Sequence, residues 1–416
     1  NRFDIDKYKE GDKYYFKENE ITDRHIYKYL DNGEKVIDPE ATNNKLASGW
    51  HKLLVDQKVG YLVGSAISIG AKGDEDITPL LELVGEDFED VIPELVKDAS
   101  NRGIAWLHPY IDEEGNFDYL EVPAYEVIPI YDNTKRKNLV GAIRFYELDH
   151  DDIVKVEFWT DAEVHYYEVL NGKIYADSSM SDPIQAHFYY GDEGYGWGKV
   201  PFVPFKNNEE AVSDIQFYKD FIDMYDRLMS DTANTIEDVQ QFLYVIKGYE
   251  GQDVNEAVTN FKRYKGVATD SEGGVDILQG EVPMQSVNAY LDRLKEDIFN
   301  FAQGVDVGTD KFGNSPSGIA LKFLFSNLDM KANVLERKFT RALKKFFWFV
   351  CEYADIVGEG EFDPNNLTFT FNKSMLMNDR EQAEIAQMSA GIISRQTIQE
   401  KHPWVEDVEA ERERFE

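Results

Sequence analysis

The chain has 416 residues, of which 42% are hydrophobic, 13% aromatic and 30% charged. This balance is typical of a folded protein with two or three packed regions and excludes a disordered chain. Seventy-nine acidic residues against 44 basic ones give a formal net charge of -35. Such a charge excludes a protein that coats DNA, because that binding depends on Lys and Arg at the phosphates.

The cysteine content and the longest apolar window limit the compartment. Cys351 is the single cysteine, so it forms no intrachain disulfide and supplies no thiolate cluster for a metal, which indicates a reducing, intracellular origin. The apolar window 59–71 is shorter than the roughly 20 residues of a membrane helix. We therefore expect a soluble protein with no membrane partner. The chain begins without Met or a signal-like segment, and we expect that its true ends are missing.

The first 63 residues predict a hairpin followed by a helix. Residues 1–40 alternate polar and aromatic positions, with Tyr14 and Tyr15 among them, and contain Asn32-Gly33, which favours a two-residue primed turn. Residues 45–63 then change to helical spacing of apolar side chains. Farther along, short alternating runs from Phe117 to Phe205, punctuated by Asn171-Gly172, predict an antiparallel β region.

Two helices around a small insert are predicted next. Apolar residues recur every three or four positions from Ile215 to Leu243, which predicts a helix of about 30 residues. Residues 244–283 revert to short strand-like runs broken by glycines and predict a compact α/β insert. A second helix is predicted from Pro283 to Ala302, with Gly304 placed to end it.

A glycine-rich loop and a long helix follow. Residues 304–318 contain four glycines, and their Ser315-Pro316 pair suits a helix N-cap. An apolar repeat then runs without Gly or Pro for nearly forty residues, which predicts an unusually long helix. A strand is predicted at 367–371 and further helix from Asp379 to the end.

Three features of the sequence resemble one known family. They are Lys52–Gly64 (KLLVDQKVGYLVG), Gly198–Asn208 (GKVPFVPFKNN) leading into Asp214-Ile215, and the order of helix, insert, helix, glycine-rich loop and long helix. All three resemble the portal proteins of tailed double-stranded DNA bacteriophages, of the siphovirus type that infects Gram-positive bacteria. The resemblance covers essentially the whole chain.

The resemblance implies an α+β portal fold. In that fold residues 1–210 form a β-rich wing, which residues 318–377 complete and which includes a long spine helix at 318–358. The implied remaining parts are stem helices at 211–243 and 284–303, a small α/β clip at 244–283, a tunnel loop at 304–317 and a helical crown at 378–416.

The resemblance also implies a structural function without an enzyme activity, a cofactor or a metal. Such subunits form a ring, a dodecamer in that family, at one capsid vertex, through which DNA is packaged and ejected without sequence-specific binding. The implied partners are the terminase large subunit, a head-completion or adaptor protein, and the scaffolding and major capsid proteins. The implied location is the virion, and the host cytoplasm during assembly.

Two groups of residues are candidates for facing the DNA. Asp310, Lys311, Phe312 and Asn314 lie near the tip of the glycine-rich loop, where Lys311 offers charge and Phe312 apolar contact. The first stem helix carries many acids, and we predict that Asp220, Asp223 and Asp231 face the channel. A solvated helix surface and an exposed loop lysine are the simpler interpretations of the same residues.

Two basic groups are candidates for protein contacts. Lys262, Arg263 and Lys265 in the insert are candidates for contacting motor or adaptor proteins. The long helix holds Lys331, Lys344 and a basic strip of Arg337, Lys338, Arg341 and Lys345, against Glu336 as the only acid from 331 to 345. The strip is a candidate for pairing with an acidic neighbouring subunit, or is simply the polar side of an amphipathic helix.

Enzyme alternatives have little support in the sequence. A G-x-x-x-x-G-K-[ST] phosphate loop and an H-E-x-x-H metal motif are both absent, and the seven histidines are scattered singly. A carbohydrate-active enzyme would need a carboxylate pair and aromatic platforms, for which Glu193, Tyr195 and Trp197 are the candidates. The other alternative is a different head or tail structural protein of a phage.

Overall fold

The computed structural model describes residues 3–73, 75–135, 137–148, 153–190, 193–239, 243–247, 274–278, 283–306, 308, 318–373, 386–395 and 398. These residues form a mixed α+β protein with several small sheets. The chain divides into two compact units: the first unit comprises Asn1–Phe16, Gly49–Tyr218 and Phe299–Glu416, and the second comprises Lys17–Ser48 and Lys219–Ile298. The coarse expectation of an α+β fold is confirmed.

The helices differ widely in length. They are α1 (Ile5–Tyr15), α2 (Trp50–Val63), α3 (Thr78–Val84), α4 (Phe88–Arg102), α5 (Lys219–Val239), α6 (Met284–Ala302) and α7 (Gly318–Val357). Single 3-10 turns lie at Glu20–Asp23, Ala124–Glu126 and Asp214–Phe217. None of the helices in the described ranges is long and apolar enough to cross a membrane.

Among the described residues, the strands pair antiparallel in six small sheets. They are β1 (Tyr27–Tyr29), β2 (Lys35–Ile37), β3 (Ser68–Ala71), β4 (Ile104–Ile111), β5 (Phe117–Val122), β6 (Val127–Tyr131), β7 (Leu139–Glu147), β8 (Val154–Trp159), β9 (Glu163–Leu170), β10 (Lys173–Ala176), β11 (Ile184–Ala186), β12 (Phe188–Tyr190), β13 (Glu193–Tyr195), β14 (Val203–Lys206), β15 (Leu243–Lys247), β16 (Gly274–Leu278) and β17 (Leu367–Thr370). The pairing orders are β1-β2, β10-β9-β8-β7-β6 with β11 on β9, β12-β13, β14-β4-β5, β15-β16 and β17-β3.

The three-stranded sheet β14-β4-β5 lies between two apolar cores of the first unit. Alternate residues of β4 point to opposite faces, so Ala105 and Leu107 join the core around α7 while Ile104 and Trp106 join the core on the six-stranded sheet. Because both faces of β4 are buried, its sequence is a nearly continuous run of apolar residues and does not alternate between apolar and polar ones.

Helix α7 has 40 residues, or about 60 Å at 1.5 Å per residue. Its apolar side packs on α2, α3, β4, β14 and β17. Phe346 stacks on Phe88 with ring centroids 5.2 Å apart, and Phe339 meets Phe205 at 5.0 Å. The long helix predicted from the apolar repeat is therefore confirmed, as is the strand predicted at 367–371.

The predicted N-terminal hairpin is present but starts later and uses a different turn. Residues Ile5–Tyr15, which include two of the aromatic residues assigned to strands, form α1, capped by the Asp4 side chain. In the β1-β2 hairpin only Gly33 of the Asn32-Gly33 pair has a positive φ, of 80°, so the loop is not the expected primed turn. Between β9 and β10, by contrast, both Asn171 and Gly172 have positive φ, as a type I′ turn requires.

In the second unit, an extended segment takes the place of the predicted start of the helix at 45. The backbone N–H groups of Asn44, Leu46 and Ser48 donate to side chains of α5. The acceptors are Asn234, Ser230 and Asp226, which are spaced four residues apart. Two residues of an extended chain span about 6 Å, and so do four residues of a helix. Every second N–H group of the extended segment therefore meets every fourth side chain of α5.

The helix predicted to reach Leu243 ends earlier. Helix α5 stops at Val239, and Leu243 opens strand β15, which pairs with β16. These two strands are the described part of the predicted α/β insert. The helical segment predicted from Asp379 to the end lies largely outside the described residues.

Candidate functional site: a buried junction at the loop root

Helix α2 directs polar side chains to separate parts of the first unit. Tyr15 of α1 donates to Asp56 at 2.7 Å, and the Tyr61 hydroxyl donates to Asp329 of α7 at 2.9 Å. Between them, Gln57 and Lys58 reach the segments that follow α6 and precede α5. The helix buries residues on several sides because α1, α4 and α7 all pack against it.

The centre of the junction is a buried aspartate between two lysines. Asp214 lies 3.0 Å from the Lys58 amine and 2.9 Å from the Lys331 amine. Asn207 completes the group, because its amide donates to Asp214 at 2.9 Å and its oxygen accepts from Lys58 at 2.6 Å. Lys58 and Asp214 are only 1% and 3% exposed. We call Lys58, Asn207, Asp214 and Lys331 the buried junction.

The charges of the junction depend on one another. Burial would by itself raise the pKa of Asp214, but Lys331 and Lys58 outweigh it and hold the pKa well below its usual range. Burial lowers the pKa of Lys58 to about 8, against the opposing attraction of Asp214. Asp214 is therefore the charge that makes the two buried lysines tolerable.

A neutral histidine lies beside the junction. Burial lowers the pKa of His51 to about 4, so the imidazole is uncharged at neutral pH. Its Nε2 lies 3.0 Å from the side-chain oxygen of Asn101, which can only accept, and its Nδ1 lies 2.7 Å from the Tyr218 hydroxyl. Nε2 therefore carries the proton, and Tyr218 donates to Nδ1.

The end of α6 is fastened to the same place. Gln57 accepts a hydrogen bond from the Val305 N–H and donates one to the Val305 carbonyl, both at 2.7 Å. The Lys331 amine, besides its ion pair, donates to the carbonyl of Ala302 at 2.9 Å. We call residues 302–305 the loop root, since the glycine-rich loop follows them.

The loop root ends α6 by a specific turn. Gln303 has a left-handed φ of 56°, and the Gly304 N–H returns to the Phe299 carbonyl at 2.9 Å, as in a Schellman motif. The helix thus ends at Ala302, as predicted, and Gln303 is the left-handed residue, directly before Gly304. Gly304 is required for space, because a Cβ there would lie 2.3 Å from Leu54 Cδ2 and 3.2 Å from Gln57 Oε1.

Comparisons with known proteins identify the family of this chain. The model of the family described as phage portal protein, SPP1 Gp6-like, matches residues 2–416. The chain belongs to this portal protein family. It is 38% identical to the portal protein of Bacillus phage SPP1 over 413 residues, covering 98% of this chain and 82% of that protein. It is 32% identical to the portal protein of Clostridium phage phiCD119 over 389 residues, covering 88% of this chain and 83% of that protein.

Only some of the candidate portal residues fall within the described part of the chain. The loop candidates Asp310, Lys311, Phe312 and Asn314 and the clip candidates Lys262, Arg263 and Lys265 lie outside it. Of the stem acids, Asp220 is exposed. Asp223 pairs with Lys219 at 3.1 Å, and Asp231 pairs with Arg24 at 2.7 Å.

The basic residues of the long portal helix separate into two groups. Arg337, Arg341 and Lys345 are exposed, and Lys338 pairs with Glu209. Lys331, which the sequence pattern groups with them, belongs to the buried junction. Lys344 donates to the Asn365 carbonyl at 3.2 Å and so fastens the turn before β17.

The aromatic loop considered for sugar binding is mainly a packing element of this portal subunit. Tyr195 donates to Glu193 at 2.9 Å on exposed β13. Trp197 is buried against Phe188 and Phe349, so its ring offers no platform to a sugar. No group of three or more metal-binding side chains occurs in the described ranges.

The buried junction is the part of the site that sequence reasoning missed. Lys58 interrupts the apolar sequence of α2, next to Tyr61 and Leu62, and a lysine in such a position is a signal of a buried partner. The partner could not be chosen from the sequence, because Asp214 is 156 positions away.

Proposed function

We propose that this portal subunit closes with identical copies into a ring of about twelve at one capsid vertex, and that the ring conducts DNA during packaging and ejection. The observation that carries the proposal is the match of the portal family over residues 2–416, with two phage portal proteins as relatives. The same match supports a structural function and a place in the virion. The host cytoplasm is the compartment that the proposal assigns to its assembly.

The proposal assigns a part to each segment. Residues 1–210 and 318–377 form the wing, with 318–358 as its spine helix. Residues 211–243 and 284–303 form the stem, 244–283 the clip, 304–317 the tunnel loop and 378–416 the crown. The buried junction supports this assignment, because Lys331 of the spine helix pairs with Asp214 near the start of the first stem segment and binds the Ala302 carbonyl near the end of the second.

The charge of the chain suits a conduit. Each phosphate that a fixed cation neutralises adds an energy minimum, and the DNA must escape from that minimum to slide onward. A ring of twelve subunits at -35 each carries on the order of -400 formal charges, while the Debye length of about 8 Å limits their reach at physiological salt. Carboxylates such as Asp220, Asp223 and Asp231 would therefore keep the duplex centred without preventing its entry.

The proposed partners follow the same division of the chain. The clip, through Lys262, Arg263 and Lys265, meets the terminase large subunit during packaging and the head-completion or adaptor protein afterwards. The basic strip of Arg337, Lys338, Arg341 and Lys345 lies between subunits, and the wing contacts scaffolding and major capsid proteins.

Ring formation is the first test of the proposed function. Native mass spectrometry of the purified 47.9 kDa chain should show a closed species near 575 kDa for twelve copies, and negative-stain images should show a central hole. A persistent monomer or dimer across a range of salt and protein concentrations would reject the ring.

Contact between the tunnel loop and DNA is tested separately. The variant Lys311→Ala with Phe312→Ala is expected to lower packaging efficiency or DNA retention, because it removes one charged and one apolar contact. The matched control is Lys173→Ala with Ile174→Ala, an exposed lysine and apolar residue on β10. Packaging and retention equal to the control would remove the loop from the mechanism while leaving the ring intact.

A further inference from the structure

A group of cations that form no salt bridge among the described residues lies beside strand β14, at one edge of the β14-β4-β5 sheet. We define the cationic edge as Lys199, Lys206, Arg341 and Lys345. Although the Lys345 side chain is exposed, neighbouring groups partly desolvate its amine and lower its pKa, and the charges of Arg341 and Lys206 lower it further. Within the described residues, Lys206, Arg341 and Lys345 form no salt bridge, and Lys199 lies 3.3 Å from the centre of the Trp348 ring.

The cationic edge is unexpected in a chain with a net charge of -35. Like charges held together repel one another. Glu209 and Glu352 offset part of that repulsion, but Glu209 is already paired with Lys338. Such a surface gains most from an acidic partner, which speeds association and fixes its orientation.

An acidic cavity lies at the other edge of the same sheet. It has a volume of about 260 Å³ and lies between α1, α4 and β5. Its charged lining consists of Asp12, Glu94, Asp98, Glu121, Lys97 and Arg102.

The cavity has carboxylates in excess of its cations. Lys97 pairs with Glu94, and Arg102 pairs with both Asp12 and Asp98. Glu121 forms no ion pair in the described part of the chain. Burial, with Asp98 and Glu94 adding to it, raises the pKa of Glu121 to about 7. An incoming cation would relieve this repulsion.

The rim of the cavity adds an apolar contact. Phe16 lines it and is 69% exposed, and Tyr15 and Pro123 lie beside it. Large aromatic side chains next to paired charges are typical of protein interfaces.

The topology places the two surfaces where a ring needs them. A rotational ring has head-to-tail contacts, so each subunit must present two different, complementary surfaces. Strand order β14-β4-β5 puts Lys206 on one outer strand and Glu121 on the opposite outer strand.

We propose that the cationic edge of one subunit docks into the acidic cavity of the next copy of this chain. The inference rests on the proposed ring, and it names the surfaces that close it. Arg341 and Lys345 supply the cations, Glu94 and Glu121 receive them, and Phe16 covers the contact from water.

Charge reversal with rescue tests this docking. The cationic variant carries Arg341→Glu and Lys345→Glu, the acidic variant carries Glu94→Lys and Glu121→Lys, and the swapped variant carries all four changes. We expect each two-site variant to need at least about tenfold more protein to form rings in 0.15 M salt, because like charges then face each other. We expect the swapped variant to return to within a few-fold of the unchanged protein.

The control makes the same change of charge as the cationic variant, at two lysines that belong to neither surface. Lys135→Glu with Lys173→Glu replaces two exposed lysines near the six-stranded sheet, and it should form rings like the unchanged protein. Two-site variants that form rings equally well, or a swapped variant no better than either of them, would overturn the inference. Failure of the unchanged chain to form rings would instead reject the proposed function itself.

Cross-linking provides a readout that does not depend on how tightly the ring assembles. Arg341→Cys with Glu121→Cys adds two thiols to a chain whose own Cys351 is buried, and burial raises the pKa of that thiol to about 12, so Cys351 stays unreactive. Oxidation of assembled rings should then give a ladder of covalent multimers. Rings that give only monomers after oxidation would contradict the docking and leave the ring itself standing.

Discussion

Asp214→Ala is expected to destabilise the first unit by about 3–5 kcal/mol, because it leaves two lysines without a counter-charge in a buried site. Lys58 is 1% exposed and Lys331 15%, so water can replace little of the lost interaction. Urea unfolding followed by tryptophan fluorescence measures the change. Asp56→Ala is the control, since it removes only exposed contacts, the ion pair with Lys52 and the hydrogen bond from Tyr15, and should cost less than about 2 kcal/mol.

The pH dependence gives a second check on the same network. The folded-state pKa of Asp214 is lowered, so its charge stabilises the folded protein above the unfolded pKa of about 4, and this contribution is lost as pH falls through the folded value. The difference in unfolding free energy between the unchanged protein and Asp214→Asn should have its full size at pH 7 and should become smaller below about pH 4. A difference that stays constant down to pH 2, or a cost for Asp214→Ala no larger than for Asp56→Ala, would contradict the charge-based account.

Gly304→Ala is expected to dislodge the loop root. Its Cβ would lie 2.3 Å from Leu54 Cδ2 and 3.2 Å from Gln57 Oε1, and Leu54 is 3% exposed, so the core has little room to yield. Overpacking of this kind costs about 1–3 kcal/mol. Since the displaced chain would weaken the two bonds between Gln57 and Val305, amide hydrogen exchange at Val305 should become faster.

A compensating change separates the close contact from a general effect of adding a methyl group. Leu54→Ala removes the atom that the new Cβ of Gly304→Ala meets. The double variant should therefore lose less unfolding free energy than the two single variants lose together, by more than about 1 kcal/mol. Gly60→Ala on α2 is the matched control, because a Cβ there has nothing within 4 Å; it should be neutral or stabilising. Additive costs, or unchanged exchange at Val305, would count against the proposed role of Gly304.

The two predictions have a functional consequence for the proposed conduit. The buried junction and Gln57 tie residues 302–305 to α2 and α7, so they hold the point from which the proposed tunnel loop starts. A variant with a loosened root should therefore affect DNA retention even when rings form.

The sequence predicted individual elements where one local pattern dominated. The apolar repeat of α7 continues for so many turns that no other structure accommodates it, and alternation with Asn171-Gly172 predicted the β9-β10 hairpin. The prediction failed at residues 45–49, where helical spacing is present but α5 captures the backbone N–H groups in an extended conformation.

By itself, the sequence determined the family, the α+β composition and the order of α2, α5, α6 and α7. These follow from the charge balance, the periodicity and the stretches around Lys52–Gly64 and Gly198–Asn208, all of which are properties of neighbouring residues. Only the tertiary structure decided that Lys58, Asp214 and Lys331 share one site, that Gln57 binds Val305, and that cations and carboxylates lie on opposite edges of one sheet. The physical reason is that periodicity shows which side of an element is buried, whereas the partner that covers it is set by packing between residues far apart in the chain.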